Sequence, residues 1–155
     1  MPSAILQAIS AGSSRRIAVV KPPGPAPAHP ARSQAAALRT ALAQEPRGSK
    51  ILGLTLARVK GFGFGSDMSR YQLAWLVSVD PYGGAYGAGG PACGRVNYVV
   101  ELIDAGTGQW LMTASGRQPG MAPLPVLGPT PSPVQPSPSC GAVVPRTHQG
   151  TPAAN

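Results

Sequence analysis

Residues Arg95 to Gly116 read RVNYVVELIDAGTGQWLMTASG. This stretch decides the fold, because it spells out a complete β-hairpin. Arg95–Asp104 is dense in β-branched, aromatic and other apolar residues, which fit a pleated, packed surface. Side chains alternate across a strand, so Tyr98, Val100 and Leu102 share one face and Val99, Glu101 and Ile103 the other. Both faces are largely apolar, which predicts a central strand covered, at least in part, on both sides. Asp104-Ala105-Gly106-Thr107-Gly108 then supplies turn chemistry. An Asp carboxylate bonds the backbone two residues on, and Gly108 enters positive φ without a Cβ clash. That suits a type I turn followed by a bulge. The chain returns over Gln109–Ser115, with Trp110, Met112 and Ala114 on one face. Asp104 and Gly108 are therefore read as turn residues, not ligands.

Upstream, Tyr71–Asp80 (YQLAWLVSVD) alternates cleanly. Tyr71, Leu73, Trp75, Val77 and Val79 face one way; Gln72, Ala74, Leu76 and Ser78 face the other. Lys50–Lys60 (KILGLTLARVK) reads as a further strand, with Leu52, Leu54 and Leu56 alternating and Arg58 and Lys60 as charged gatekeepers. Between these strands, Gly61-Phe62-Gly63-Phe64-Gly65 is a bend carrying two aromatics. It lacks the GK[ST] of a phosphate loop, and Ser66 stands where a G-x-G-x-x-G would need its third glycine. Tyr82–Gly94 is a glycine-rich loop, either slack or a binding loop. Ala31–Gln44 is the one sustained helix candidate. Ala35, Leu38 and Leu42 follow an i, i+3, i+7 pattern, Pro30 sits at the start, and Pro46 and Gly48 supply the stop.

The limits of the folded part come from composition. All eight aromatics lie between Phe62 and Trp110, and of nineteen prolines only Pro81 and Pro91 fall between 50 and 116. Residues 1–30 hold a short helical stretch at Ser3–Ser10 and then KPPGPAPAHP (Lys21–Pro30), a spacer favouring extended polyproline structure. From Pro119 to Pro138 eight of twenty residues are proline, and such a segment cannot bury enough surface to offset its ordering entropy. The net charge of +8 is uneven: +5 resides in residues 1–49, +2 in 50–117, and Arg146 adds the rest. The basic arm reads as a solvated tail, with an anion-seeking tail as the alternative. Ten Arg against three Lys also fits the codon bias of a GC-rich genome. No stretch reaches the roughly 20 apolar residues of a membrane span, and Ala4–Ile9 is too short for a secretory signal. Cys93 and Cys140 read either as unrelated thiols or as a disulfide closing a long loop.

Catalytic chemistry is thinly provided. His29 lies in the proline spacer and His148 near the end of the chain, so the folded centre has no histidine to act as a base for a nucleophile. Its carboxylates (Asp67, Asp80, Glu101 and Asp104) are scattered, and no Cys/His spacing matches a zinc site. No catalytic, cofactor-binding or metal residue is assigned. An enzymatic reading regains weight only where two carboxylates face one deep pocket.

The run Tyr98-Val-Val-Glu-Leu-Ile-Asp-Ala-Gly-Thr-Gly-Gln-Trp-Leu111 resembles the closing hairpin of PepSY-type domains, which end in a Tyr-Val-Val-rich strand, an Asp-Ala-x-Thr-Gly turn and a short strand. The helix at 31–44 and the strand ending Val77-Ser78-Val79-Asp80 stand in that family's order. The resemblance implies an extracytoplasmic, non-catalytic domain that binds or restrains another protein, often a peptidase.

The expected architecture is α+β: one helix on a four-stranded antiparallel meander (50–60, 71–80, 95–104 and 109–115). Residues 1–30 form a basic, proline-rich arm, 31–116 the domain, and 117–155 a proline-rich tail. Its expected core is Leu54, Trp75, Val77, Tyr98, Val100, Leu102, Trp110 and Met112. The expected function is non-enzymatic protein interaction or regulation, with nucleic-acid or anionic-surface binding through the basic arm as the alternative. No cofactor is expected.

Overall fold

The computed structural model describes residues 9, 17–21, 30–61, 71–85, 94–117 and 119–129. Its elements are β1 (Ile17–Lys21), α1 (Gln34–Ala43), β2 (Lys50–Gly61), β3 (Gln72–Asp80), β4 (Tyr98–Asp104) and β5 (Trp110–Gly116). The strands form one sheet in the order β1-β2-β3-β4-β5, each antiparallel to its neighbour. An α+β antiparallel meander with one described helix is thus observed.

The hairpin closes through the expected turn. Asp104 Oδ1 accepts from the amides of Gly106 (2.8 Å) and Thr107 (2.6 Å). The Gly108 amide donates to the Asp104 carbonyl at 2.8 Å, with Gly108 at φ +79°. The register then slips between Leu102↔Met112 and Ile103↔Trp110, which leaves Leu111 as an extra residue on β5. A second bulge, between Ile51 and Gly53, turns Leu52 out to 53 % exposure.

Two corrections concern the ends of the domain. The sheet has five strands where the sequence reading gave four. The added one, IAVVK at Ile17–Lys21, lies inside the stretch read as an arm and pairs with the outer end of β2, from Ile17↔Gly61 to Lys21↔Arg58. Its Ile and Val residues have the branched side chains that strands favour, but the following Lys-Pro-Pro masks a segment this short. At the other end, residues 119–129 were read as tail, yet they lie against the sheet. The Leu124 amide donates to the Val96 carbonyl at 3.2 Å, Asn97 Nδ2 to the Met121 carbonyl at 2.9 Å, and the Gly83 amide to the Leu127 carbonyl at 2.6 Å. The Arg95 guanidinium also donates to the Leu124 carbonyl. Prolines remove donors but keep their carbonyls, and Met121 and Leu124 supply apolar groups between them.

Both faces of the sheet are buried. One holds Ala57, Val59, Ala74, Leu76, Tyr98, Val100, Leu102, Met112 and Ala114, covered in part by Ile9 and Met121. The other holds Trp75, Val77, Val79, Val99 and Ile103 beneath α1, with Leu38, Leu54, Leu56 and Trp110 packed around them. A Leu, Ile, Val or Phe side chain buried this way contributes about 1.5–3 kcal/mol.

The helix begins three residues later than the sequence suggests, because Ser33 caps it by accepting the Ala36 amide at 3.3 Å. Its contact side also differs from the expected Ala35–Leu38–Leu42 stripe. Ala37 and Ala41 are its buried residues, Leu38 is partly buried, Ala35 is exposed and Leu42 is 41 % exposed. Alanines at i and i+4 bring the helix backbone close to β3 and β4, where leucines would hold it off.

Candidate functional site

The distinctive side chain is Glu101, in the middle of β4. Strand alternation puts it on the helix-covered face with Val99 and Ile103, between Val77 of β3 and Thr113 of β5 in register. It is 0 % exposed. A charge in such a place is costly unless it is paired or neutralised. Glu101 Oε2 accepts from the Trp110 indole Nε1 at 2.5 Å and from Thr113 Oγ1 at 3.0 Å. Oε1 has no hydrogen-bond donor.

Glu45 approaches this carboxyl from the turn after α1. Its amide donates to the Leu42 carbonyl at 3.3 Å, and its side chain is half-buried. Burial, first, and the neighbouring Glu45 carboxyl, second, push the Glu101 carboxyl up to about 8; the Trp110 and Thr113 hydrogen bonds pull in the opposite direction.

A second buried acid, Asp80, ends β3. It is 2 % exposed and lies opposite Lys50 in the register. Burial pushes its carboxyl up, against the attraction of Lys50 and Arg95. Beyond it an open depression of about 550 Å³ is lined by Arg95, Asn97, Arg117, Met121 and Pro123 among others. Its polar groups hold the structure together. Arg95 and Asn97 bind the carbonyls of Leu124 and Met121, and Arg117 Nε donates to the Arg95 carbonyl at 2.7 Å.

The third feature is the outer edge of β5. Trp110–Gly116 (WLMTASG) contains no charge and no proline, and Thr113 and Ser115 are exposed. The stretch of β2 that pairs with β1, by contrast, carries Arg58 and Lys60. Proteins blunt free strand edges with charge, proline or bulges. On β5 only the bulge at Leu111 serves, leaving Met112–Gly116 regular.

Of the expected core, Tyr98, Val100, Leu102 and Met112 lie on the face away from α1, and Trp75 and Val77 lie beneath the helix, all buried. Leu54 and Trp110 are only half-buried, at the margin of the helix-side cluster. Cys93 and Cys140, His29 and His148, the bend at 62–65 and the glycine-rich loop beyond Ala85 lie outside the described residues, apart from Gly94. So do Arg15 and Arg16 of the basic arm. Among the described residues no group of three or more His, Cys, Asp or Glu could hold a metal ion. No described helix is long and apolar enough to cross a membrane.

The full burial of Glu101 was missed by sequence reasoning. The visible signal was a lone acid within YVVELI, facing the same way as Val99 and Ile103. Nothing in the spacing pointed to Glu45.

No family model matches the chain, no curated protein matches it, and no solved structure matches it.

Proposed function

We propose that this chain is a non-enzymatic binding module that takes an extended segment of a partner protein along the outer edge of β5. The observation that carries the reading is the position of β5 at the end of the sheet with neither charge nor proline along it. Among the described residues no strand pairs with that edge. Its unpaired amides and carbonyls are a template for an incoming strand, with main-chain hydrogen bonds giving affinity and alternate side chains giving selectivity. Exposed Ser115 would meet the partner on the helix side, where the Thr113 hydroxyl is already held by Glu101. The resemblance of the closing hairpin to PepSY-type domains points to the same class of function, and the partner that resemblance implies is a peptidase.

The test is selection of linear peptides from a random library against the full-length chain. Peptides that bind should lose binding when N-methylated at one set of alternating residues and keep it when methylated at the other set. Amide exchange in Met112–Gly116 should slow when they bind. Recovery of no linear peptide, or of peptides that tolerate both methylation patterns, would contradict the proposal.

A further inference from the structure

We infer that the open depression at the end of the sheet, where β4 begins and β5 ends, binds a carboxylate carried on an apolar body, with Arg95 and Arg117 gripping the charge and Pro119, Met121 and Pro123 seating the body. Its volume of about 550 Å³ falls in the range of small-molecule sites. Two guanidiniums and the Asn97 amide line it, and among the described residues no acid does. Like charges on one rim repel, and an anion between them removes that cost. A guanidinium is planar and presents its N–H groups in a fork that matches the two oxygens of a carboxylate. The facing wall is of the opposite character. Prolines carry no amide hydrogen, so Pro119 and Pro123 with Met121 offer mostly carbon to an incoming group.

The backbone holds both cations in place before any ligand arrives. Arg117 is exposed, yet its Nε donates to the Arg95 carbonyl at 2.7 Å. Its guanidinium lies over Gly94, where a Cβ would stand 3.4 Å from Arg117 Cζ and collide with Nη2. Gly94 adopts φ +73°, so glycine suits that position twice over. Arg95 is anchored through the Leu124 carbonyl, and Asn97 Nδ2 donates to the Met121 carbonyl at 2.9 Å, which fixes the proline-rich wall against the rim. Side chains already fixed lose less entropy when they grip a ligand. Asp80 attracts Arg95 but does not line the depression. Asp80 Oδ1 and Arg95 Nε are both buried without a hydrogen-bond partner, so these two atoms do not pair with each other. The site goes beyond the edge-binding reading and stands whether or not a partner strand adds to β5.

The test is titration of the full-length chain with hexanoate, followed by backbone amide chemical shifts, with hexanamide and inorganic phosphate as comparisons. Hexanoate should give saturable shifts clustered at Asn97, Gly120 and Met121, with a dissociation constant on the order of 1 mM or tighter. Hexanamide keeps the apolar body without the charge and should not saturate. Phosphate keeps a charge without the body and should bind more weakly than hexanoate. Arg117→Gln should weaken hexanoate binding by roughly tenfold or more, as loss of a charged hydrogen-bond donor does. Arg117→Lys, which retains the charge without the fork, should weaken it by a smaller factor. N-acetyl-leucyl-leucine separates two sources of the same chemistry. Tighter binding than hexanoate assigns the site to the C-terminus of a peptide and weaker binding to a free organic acid, and either result supports a carboxylate site. Shifts scattered over the arginines of the whole chain would overturn the proposal. So would hexanamide or phosphate binding as tightly as hexanoate. Should Arg117→Gln fail to fold, the three ligands on the parent protein decide the question alone.

Discussion

At the scale of single residues, the acid at position 101 ties stability to pH with a definite sign. In the unfolded chain this carboxyl loses its proton near its ordinary value of 4.5, whereas in the fold it keeps it to about 8. Between those limits the folded state binds more protons than the unfolded one. Glu101's contribution is thus complete below the lower value, falls as pH rises through the window, and is gone above the upper. Glu101→Gln preserves the shape: its amide oxygen accepts from Trp110 and Thr113 as the carboxyl oxygen does. In urea melts the variant should stay close to the parent at pH 5 and be clearly more stable at pH 9. A variant whose stability falls with pH as steeply as the parent's would contradict this. The two tryptophans should also differ. Trp75 is 9 % exposed and donates from its indole to the Arg32 carbonyl at 3.0 Å, so Trp75→Ala should cost about 3–5 kcal/mol. Trp110, read from sequence as an equal member of the core, is half-buried, and Trp110→Ala should cost less in the same melts. The pattern of strand alternation made the faces of Tyr98, Val100 and Leu102 legible. It could not reveal that Trp110 and Thr113 both donate to Glu101.

At the scale of elements, the β4–β5 hairpin is held by local chemistry that the sequence displays openly. Asp104→Ala removes the acceptor of two backbone amides and should lower stability by about 1–2 kcal/mol in thermal melts, while leaving the strand register intact. Gly116 is constrained for another reason. A Cβ there would lie 2.9 Å from Tyr98 Cζ, in the packed face away from α1. Gly116→Ala should cost about 1–3 kcal/mol through overpacking, and an unchanged melting temperature would refute that contact. The helix was legible as an element but not in its orientation. Leucine spacing suggested one stripe, and the sheet selects the alanine side because closeness to β3 and β4 is worth more there than bulk. β1 escaped notice because five residues beside a proline spacer carry too little pattern. Residues 119–129 escaped because proline content signals an extended chain without saying whether that chain is docked.

At the scale of the whole molecule, a small sheet keeps both faces dry by drawing on segments at both ends of the domain. Ile9 and Met121 help cover one face, and α1 with Leu124 covers the other. Compositional boundaries located the centre correctly and drew its limits too tightly, since aromatic and proline content report on bulk and not on docking. A chain ending at Arg117 loses the acceptors of Arg95, Asn97 and the Gly83 amide. It should melt several degrees below the full chain, given that about 1 kcal/mol moves the midpoint of a domain this size by 4–8 °C; equal melting would show that the docked segment does not brace the fold. The proposed binding role rests on the end strand β5, which carries neither charge nor proline. The most direct measurement is residue-resolved amide exchange on the full-length chain. An open β5 edge predicts continuous protection along β3 and β4, and alternation of slow and fast amides along Met112–Gly116. Continuous protection of every amide in Met112–Gly116 would show that the edge is already occupied and would contradict the account.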